Sequence, residues 1–287
     1  MGYTNNSLVD RVESKAALPE GRYTTAELLD QIYRTLISEI VPIVRQVHQE
    51  YYVVKTTVAT VANTYAYSIP TRAMGRALRE IKRVNGTTQY DLPIGGLEYE
   101  NTSDTGAPQK AWIEGDKVIV WPTPTDATDS LNMWYYRRPS ILVEDTAGFI
   151  VTAIDTGTNT VSVSGVPTWT TADTLDVVSP SGDFTIREMD LSFTSITVSD
   201  FVFATLPTNL SVGDYLCLAG ESVYAQLPVE AHEMLITLTA ANVLFEMGDR
   251  ENGAILRSDG ERLAQAYLST VNPRIVGAPK AFTTRLV

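Results

Sequence analysis

The residues that could perform acid–base, nucleophilic or metal chemistry are few and scattered in this chain. It has two histidines, His48 and His232, and one cysteine, Cys217. Zinc needs a cluster of such ligands, and a hydrolytic triad needs a nucleophile held against a histidine. The sequence shows neither pattern, and it has no P-loop and no G-x-G-x-x-G fingerprint. We therefore expect no catalytic, metal or cofactor site, and no enzymatic activity.

One short stretch, EAHE at 230–233, brings a histidine close to two carboxylates. It falls at the start of a predicted helix, where acidic residues complement the helix dipole. That role explains the stretch without a bound metal.

The stretch TRAMGRALREIKRVNG carries a basic cluster. Four arginines are spaced by four, three and four residues, so a helix would place them on one face, with a lysine beside it. The cluster comprises Arg72, Arg76, Arg79, Lys82 and Arg83. Two interpretations stay open: an inter-subunit or DNA-facing surface that meets phosphates or an acidic partner, or an ordinary solvated helix face.

Aromatic residues are concentrated in predicted hairpins. The set comprises Trp112, Trp121, Trp134, Tyr135 and Tyr136. They could form a sugar-binding face, although aromatic residues in hairpins more often fill a core or pair across strands. A glycan- or receptor-binding virion module is accordingly the alternative function for this chain.

Charge is distributed unevenly along the chain, whose net charge is −12. Residues 140–227 hold eleven acidic residues and one basic residue, Arg187. Such a segment cannot grip nucleic acid, because phosphate contacts depend on lysine and arginine. It could repel DNA, or it could serve only as a soluble surface.

Helical patterns lie at both ends of the chain. Helices are predicted over 7–16 and over 24–52, where Thr24 and Glu27 have capping-box spacing and Pro42 should interrupt the second helix. Two more are predicted after Pro228, with a break near Gly248 and an end near Val271. Gly253 and Gly260 weaken the last helix by about 1 kcal/mol each relative to alanine, so it needs packing partners.

The middle of the chain follows the period-two pattern of strands. VVKTTVATV and TYAYSIP predict a hairpin joined near Asn63, and AWIEGDKVIVWPTP predicts another, continued by the aromatic strand SLNMWYYRRP. Residues 147–220 predict further short strands in a small β-barrel or sandwich.

These patterns predict an α+β protein with a helical core built from both ends of the chain. The predicted divisions are an N-terminal helical region with β-hairpins at 1–146, an inserted β-module at 147–220, C-terminal helices at 221–272 and an extended arm at 273–287. No run of about 18 apolar residues occurs, so no membrane span and no membrane partner are expected. A single cysteine fits a protein made in a reducing compartment.

The order of parts resembles the head-to-tail adaptor, or connector, proteins of tailed bacteriophages. VGDYLCLAGESVYAQLPVEAHEMLITLTAANVLFEMGDRENG is similar to their C-terminal half: a Gly-Asp strand start, then Q-x-P-x-E, a long helix and a GD break. YAYSIP, IKRVNG and WIEGDKVIVWPTP are similar to their upstream strands. The similarity runs from about residue 24 to 272.

This resemblance implies a structural role in the virion. Family members form a ring of about twelve copies between the portal at the capsid vertex and the tail nozzle or tail tube. Double-stranded DNA passes non-specifically through the channel. The expected location is the neck of the virion, after synthesis in the cytoplasm of the host bacterium.

The chain finishes in VNPRIVGAPKAFTTRLV, which has three basic residues and no acidic one. Prolines and a glycine disfavour a helix there, yet large apolar side chains are retained. An ordinary terminus is one interpretation. The resemblance implies the other, an arm that docks on the portal through Arg274, Ile275, Val276, Lys280, Phe282, Arg285 and Leu286.

Overall fold

The computed structural model describes residues 3–19, 21–96, 104–180 and 186–270. Contacts divide the chain into a discontinuous unit, Met1–Gln49 with Ile141–Val287, and a central unit, Glu50–Ser140. The predicted division at 146, 220 and 272 followed changes in composition and not contacts, and it stays a prediction.

Helices at both ends of the chain belong to the discontinuous unit, as predicted. They are α1 (Asn5–Lys15), α2 (Thr25–Thr35), α3 (Val41–Val47), α4 (His232–Glu246) and α5 (Arg250–Thr270). Two short 3-10 turns, Asp145–Ala147 and Val229–Ala231, occur in the same unit. None of the helices in the described part of the chain has the length and apolarity that a bilayer crossing requires.

Local sequence signals set the boundaries of the first helices. The Thr24 side chain accepts from the Glu27 N–H while the Glu27 carboxylate accepts from the Thr24 N–H, so the predicted capping box is confirmed. Between α2 and α3 the chain makes a π-helical turn over Leu36–Ile40, in which the Val41 N–H donates to the carbonyl of Leu36. Pro42 lacks an N–H to continue the ladder, which explains why the interruption lies there.

Helix α4 is the centre of the helical core. It contacts α1, α2 and α5, while α3 packs on α5. Because α4 has neighbours on several sides, its side chains are buried almost all round, including Leu235, Ala240 and Val243. The N-terminal helix is fixed by Asn5, whose buried Nδ2 donates to the carbonyls of Val143 and Ser222.

The stretch predicted as the β-module forms a seven-stranded antiparallel sheet with order β12-β11-β15-β9-β10-β14-β13. Its strands are β9 (Phe149–Asp155), β10 (Thr160–Val163), β11 (Leu175–Val178), β12 (Ile186–Leu191), β13 (Ser195–Thr197), β14 (Asp200–Val202) and β15 (Tyr215–Leu218). Within it, β9 pairs with β10 and β11 pairs with β12, each in antiparallel fashion, in agreement with the short strands predicted for this stretch. Beside the sheet, β8 (Ile141–Leu142) and β16 (Glu221–Ser222) form a parallel pair.

This sheet is curled but is not the closed barrel predicted as one possibility. Seven strands laid flat would separate the two edge strands by about 29 Å. Only residues 192–194 connect the edge strands β12 and β13, and that link spans at most about 14 Å. The sheet therefore rolls around its apolar core, which includes Val161, Phe201 and Leu216. In the described residues β12 and β13 are not hydrogen-bonded to each other, so the barrel stays open.

The central unit contains two antiparallel sheets, with strand orders β1-β7-β3-β4 and β2-β6-β5. Its strands are β1 (Val53–Ala59), β2 (Ala66–Ser68), β3 (Ala73–Asn85), β4 (Thr88–Asp91), β5 (Lys110–Glu114), β6 (Lys117–Trp121) and β7 (Asp129–Arg137). The β5–β6 hairpin confirms the prediction for AWIEGDKVIVWPTP. Alternate residues of β7, Leu131, Met133 and Tyr135, face the core between the sheets.

Two predicted strand pairings are wrong. Strands β1 and β2 do not form a hairpin, since β1 pairs along its whole length with β7 and β2 pairs with β6. The aromatic strand β7 likewise does not extend the β5–β6 hairpin but lies between β1 and β3. Strand β1 forms seven register pairs with the nine-residue strand β7. A hairpin with β2 could supply at most three, because β2 has only three residues. The longer non-local pairing therefore replaces the local one.

Candidate interaction surfaces

The basic cluster lies on strand β3 and, for Arg72, in the turn before it, and not on a helix, so the prediction of one helical face is wrong. Register shifts occur between Ala73 and Leu78 and between Leu78 and Glu80. Gly75 and Arg76 both adopt positive φ, at 63° and 55°, which bends the first half of the strand. A spacing of four, three and four fits a helix, but Lys82 and Arg83 pair with β7 on one side and with β4 on the other.

Arg83 points to the core side of the sheet, opposite Leu131. Its guanidinium lies over the Tyr90 ring, 4.4 Å from the ring centroid, and its Nε is 3.7 Å from a carboxylate oxygen of the buried Asp129. The other oxygen of Asp129 accepts from Asn85 Nδ2 at 2.6 Å. Arg83 therefore contributes to the packing of the central unit.

Lys82 points to the opposite side of the sheet from Arg83. Its ammonium contacts the carboxylates of Glu80 and Asp91 and lies 5.7 Å from the Trp134 ring centroid. The bonds to Glu80 and Asp91 raise the pKa of Lys82.

The remaining three members of the cluster also have partners within the central unit. Arg79 pairs with Glu50. Arg72 donates to the Ser140 hydroxyl at 3.0 Å, and Arg76 donates to a backbone carbonyl at 3.3 Å. The five side chains thus diverge, and the structure does not gather them into one face.

The five aromatic side chains also divide between two environments. Trp134 and Tyr136 are half-buried on the outer side of β7, where Trp134 borders a shallow groove with Val53 and Lys55. Trp112 and Tyr135 are buried, and Trp121 is half-buried. They therefore do not form one exposed platform of the kind that stacks on sugar rings.

Surface carboxylates dominate the seven-stranded sheet. Asp155 and Asp190 are exposed, and Glu188 and Asp200 are half-exposed. The one arginine of this segment is bonded within the same segment: Arg187 Nε lies 3.4 Å from the buried Asp214, and its other nitrogens donate to Ser179, Ser211 and the carbonyl of Asn209. The acidic residues that the sequence concentrates in 140–227 therefore contribute to an acidic surface on this sheet.

The two histidines do not assemble a metal site. Within the described ranges, no three His, Cys, Asp or Glu side chains come together in a way that could hold a metal ion. His232 begins α4, where burial lowers its pKa, and its ring lies 5.6 Å from that of Tyr3. Glu233 lies in the first turn of α4, as expected for an acidic residue there, and also pairs with Lys15.

An apolar groove of about 470 Å³ opens in the discontinuous unit, where the end of α1 meets the turn between α4 and α5. Its walls include Ala16, Pro19, Leu244, Met247, Ile255 and Leu256. No sequence pattern predicted this groove. Its one local signal is Ile255, an apolar residue next to Leu256 in the last predicted helix.

Comparison with protein families identifies the chain. The family model described as SU10 adaptor protein matches residues 4–168, which is more than half of the sequence. The chain belongs to the SU10 adaptor protein family. It is therefore a structural adaptor of bacteriophage, a virion component that contacts other virion proteins. A comparison with curated proteins gives no match.

The part that matches the SU10 adaptor family contains α1–α3, the whole central unit and the first two strands of the seven-stranded sheet. The rest of the sheet, α4, α5 and the C-terminal segment lie beyond the match. The predicted portal-docking arm, from Arg274 to Leu286, falls outside the described residues, so its role stays a prediction.

Cys217 of this SU10 adaptor family member is expected to be inert in the folded state. It is fully buried on β15, and burial raises its pKa to about 12. Relative to an ordinary thiol of pKa 9.0, the thiolate fraction near neutral pH falls about a thousandfold. Ellman's reagent should therefore titrate no thiol in the native protein and one thiol in guanidinium. Rapid titration of the native protein would contradict this assignment.

Proposed function

We propose that the protein forms a ring of about twelve copies that joins the portal to the tail nozzle or tail tube, and that it performs no catalytic step. Membership of the SU10 adaptor family carries this proposal, because it establishes a structural role among virion proteins. In the proposed assembly, double-stranded DNA passes through the ring without being bound.

The charge distribution supports such a passage. The seven-stranded sheet presents carboxylates such as Asp155 and Asp190, and its arginine is engaged with Asp214. A surface rich in carboxylates, whose single arginine is engaged in internal bonds, gives DNA phosphates few attachment points, so DNA in contact with it would slide. The same surface would attract basic segments of neighbouring proteins and favour one docking orientation over others.

The C-terminal arm is the proposed portal contact. Three positive charges, Arg274, Lys280 and Arg285, accompany four large apolar residues, Ile275, Val276, Phe282 and Leu286. Apolar anchors buried at a docking site supply affinity, and surrounding charges supply orientation.

Mixing with the cognate portal tests this function. The full chain should form a complex with the mass of a portal and about twelve adaptor copies, measured by size-exclusion chromatography with light scattering. A chain that lacks residues 273–287 should keep its circular dichroism spectrum but no longer bind. A full chain that remains a monomer and ignores the portal would refute the proposal.

A matched variant separates the anchors from the charges of the arm. Replacing Ile275, Phe282 and Leu286 by serine keeps the length and all three positive charges. We expect binding to fall as much as in the truncated chain, because the anchors carry most of the affinity. Unchanged portal binding by this variant would show that the arm is not held through these side chains.

A further inference from the structure

The apolar groove at the turn between α4 and α5 is an uncovered hydrophobic site on an otherwise well-packed helical core. Ile255, in the second turn of α5, is 57% exposed, although it lies beside other apolar side chains of the groove wall. Leu256 and Met247 are half-buried beside it. The groove therefore offers apolar walls against which a second segment can bury its own apolar side chains.

The charged groups at the groove leave a negative balance. Lys15 is neutralised by Glu233, to which it is bonded. Asp249 is the acidic residue of the wall. Its carboxylate accepts from the backbone and side chain of Asn252, and among the described residues no lysine or arginine pairs with it. A segment with apolar side chains and positive charge fits this environment.

The C-terminal segment of the same chain has that composition and sufficient length. Helix α5 begins at the groove and ends at Thr270, about 22 Å from Ile255 along the helix axis. The 17 residues that follow can reach about 56 Å when extended. The 12 residues from Val271 to Phe282 can span about 40 Å, which exceeds the axial distance from Thr270 back to Ile255. Pro273, Gly277 and Pro279 favour turns over a continued helix, which suits a segment that reverses direction.

We propose that residues 271–287 bind in this groove of their own chain, with Phe282 as the apolar anchor beside Ile255. Intramolecular binding is favoured because a short connection holds the segment at a high effective concentration. The occupied groove would also hide the anchors that the proposed function assigns to portal docking. That consequence depends on the proposed function, whereas occupancy of the groove does not.

Thiol protection tests the occupancy directly. The variant Ile255→Cys places a reactive thiol in the wall of the groove, and the buried Cys217 contributes little background. In the full chain, this thiol should react with a maleimide at least fivefold more slowly than in a chain that ends at Thr270. Val198→Cys, at a position 75% exposed on the seven-stranded sheet, is the control and should react equally fast in both lengths.

Two further measurements distinguish binding of the chain's own C-terminal segment from binding of a second copy of the protein. Phe282→Ser in the full-length Ile255→Cys protein keeps the chain length and should restore at least half of the lost reactivity. Protection should also be independent of protein concentration, since the segment belongs to the same molecule. Protection that grows with concentration would assign the groove to a second copy, and equal rates in the long and short chains would leave the groove unoccupied. Either result overturns the proposal, and neither depends on whether the protein binds a portal.

Discussion

Replacing Gly260 by alanine is expected to destabilise the helical core by about 2 kcal/mol, although alanine is the better helix former. A Cβ at this position would lie 2.4 Å from Leu238 Cδ2 and 2.8 Å from its Cγ. Leu238 is only 2% exposed, so its side chain has no free space into which it can move. Overpacking of a filled core costs about 1–3 kcal/mol, and a contact of 2.4 Å belongs to the upper end of that range. After the gain of about 1 kcal/mol in helix propensity, a net loss of about 2 kcal/mol remains.

Gly253→Ala is the matched control on the same helix. Its Cβ would meet Phe245 Cδ1 at 2.9 Å, but Phe245 is 40% exposed and can rotate outward. We expect a change of less than about 0.5 kcal/mol, because the steric cost and the propensity gain nearly cancel.

The free energy of unfolding of both glycine variants can be measured by guanidinium titration with helical circular dichroism as the signal. That signal reports on the discontinuous unit, because the described α-helices all belong to it. In a Leu238→Ala background, the cost of Gly260→Ala should disappear, because the clashing atoms are gone. Equal stability of Gly260→Ala and the parent protein would show that α4 and α5 are not packed at this distance.

Arg187→Met is expected to weaken the seven-stranded sheet by about 2–3 kcal/mol. Asp214 is 2% exposed, and its carboxylate would lose the guanidinium that lies 3.4 Å away. Leaving a buried charge without its partner costs several kcal/mol. The cost is smaller here, because Arg187 is about one-third exposed and water screens its interaction with Asp214. Methionine keeps much of the apolar length of the side chain, so the effect isolates the charge and its hydrogen bonds.

The labelling rate of Cys217 measures this effect locally, since the thiol lies on β15 of the same sheet and reacts only when the sheet opens. Under conditions where opening is a pre-equilibrium, the rate should rise about 30- to 150-fold in Arg187→Met. Asp214→Asn is the control: an amide oxygen can still accept from the Ser211 N–H, and no buried charge remains. It should change the rate less than about fivefold, and it should suppress most of the effect of Arg187→Met in the double variant.

The effect of Arg187→Met should also depend on pH. Burial raises the pKa of Asp214 in the folded state, against the opposing effects of its bond from Ser211 and of Arg187. A carboxyl group whose folded-state pKa is raised costs stability at neutral pH, and that cost vanishes as the group is protonated. The stability difference between the variant and the parent should therefore shrink as the pH falls through the raised pKa of Asp214, as measured by hydrogen exchange. A difference that grows on acidification would contradict the role of this pair.

The helices could be predicted from local signals because each signal acts within a few residues. The capping box at Thr24, the interruption at Pro42 and the break at Gly248 correspond to observed boundaries. The hairpins with short turns were predicted for the same reason, since a turn at Gly115 brings adjacent strands together.

The helix predicted for the basic cluster was wrong, because the structure there depends on a distant strand. A spacing of four, three and four is compatible with a helix, and nothing near Arg76 in the sequence reveals that β7 supplies a partner strand from about fifty residues away. The sheet places Lys82 and Arg83 on opposite sides, and Arg83 packs beside the buried Asp129 and over the Tyr90 ring.

By itself, the sequence determined the composition-driven properties of this protein: helical ends, a β-rich middle, an acidic segment with one arginine, and a resemblance to phage adaptors that the family match confirmed. Only the tertiary structure decided how strands pair across long separations, that the sheet curls without closing, and that Gly260 permits two helices to touch. It alone revealed the groove beside Ile255. The physical reason is that composition and periodicity act along the chain, whereas pairing and packing depend on which distant segments offer the larger complementary surface.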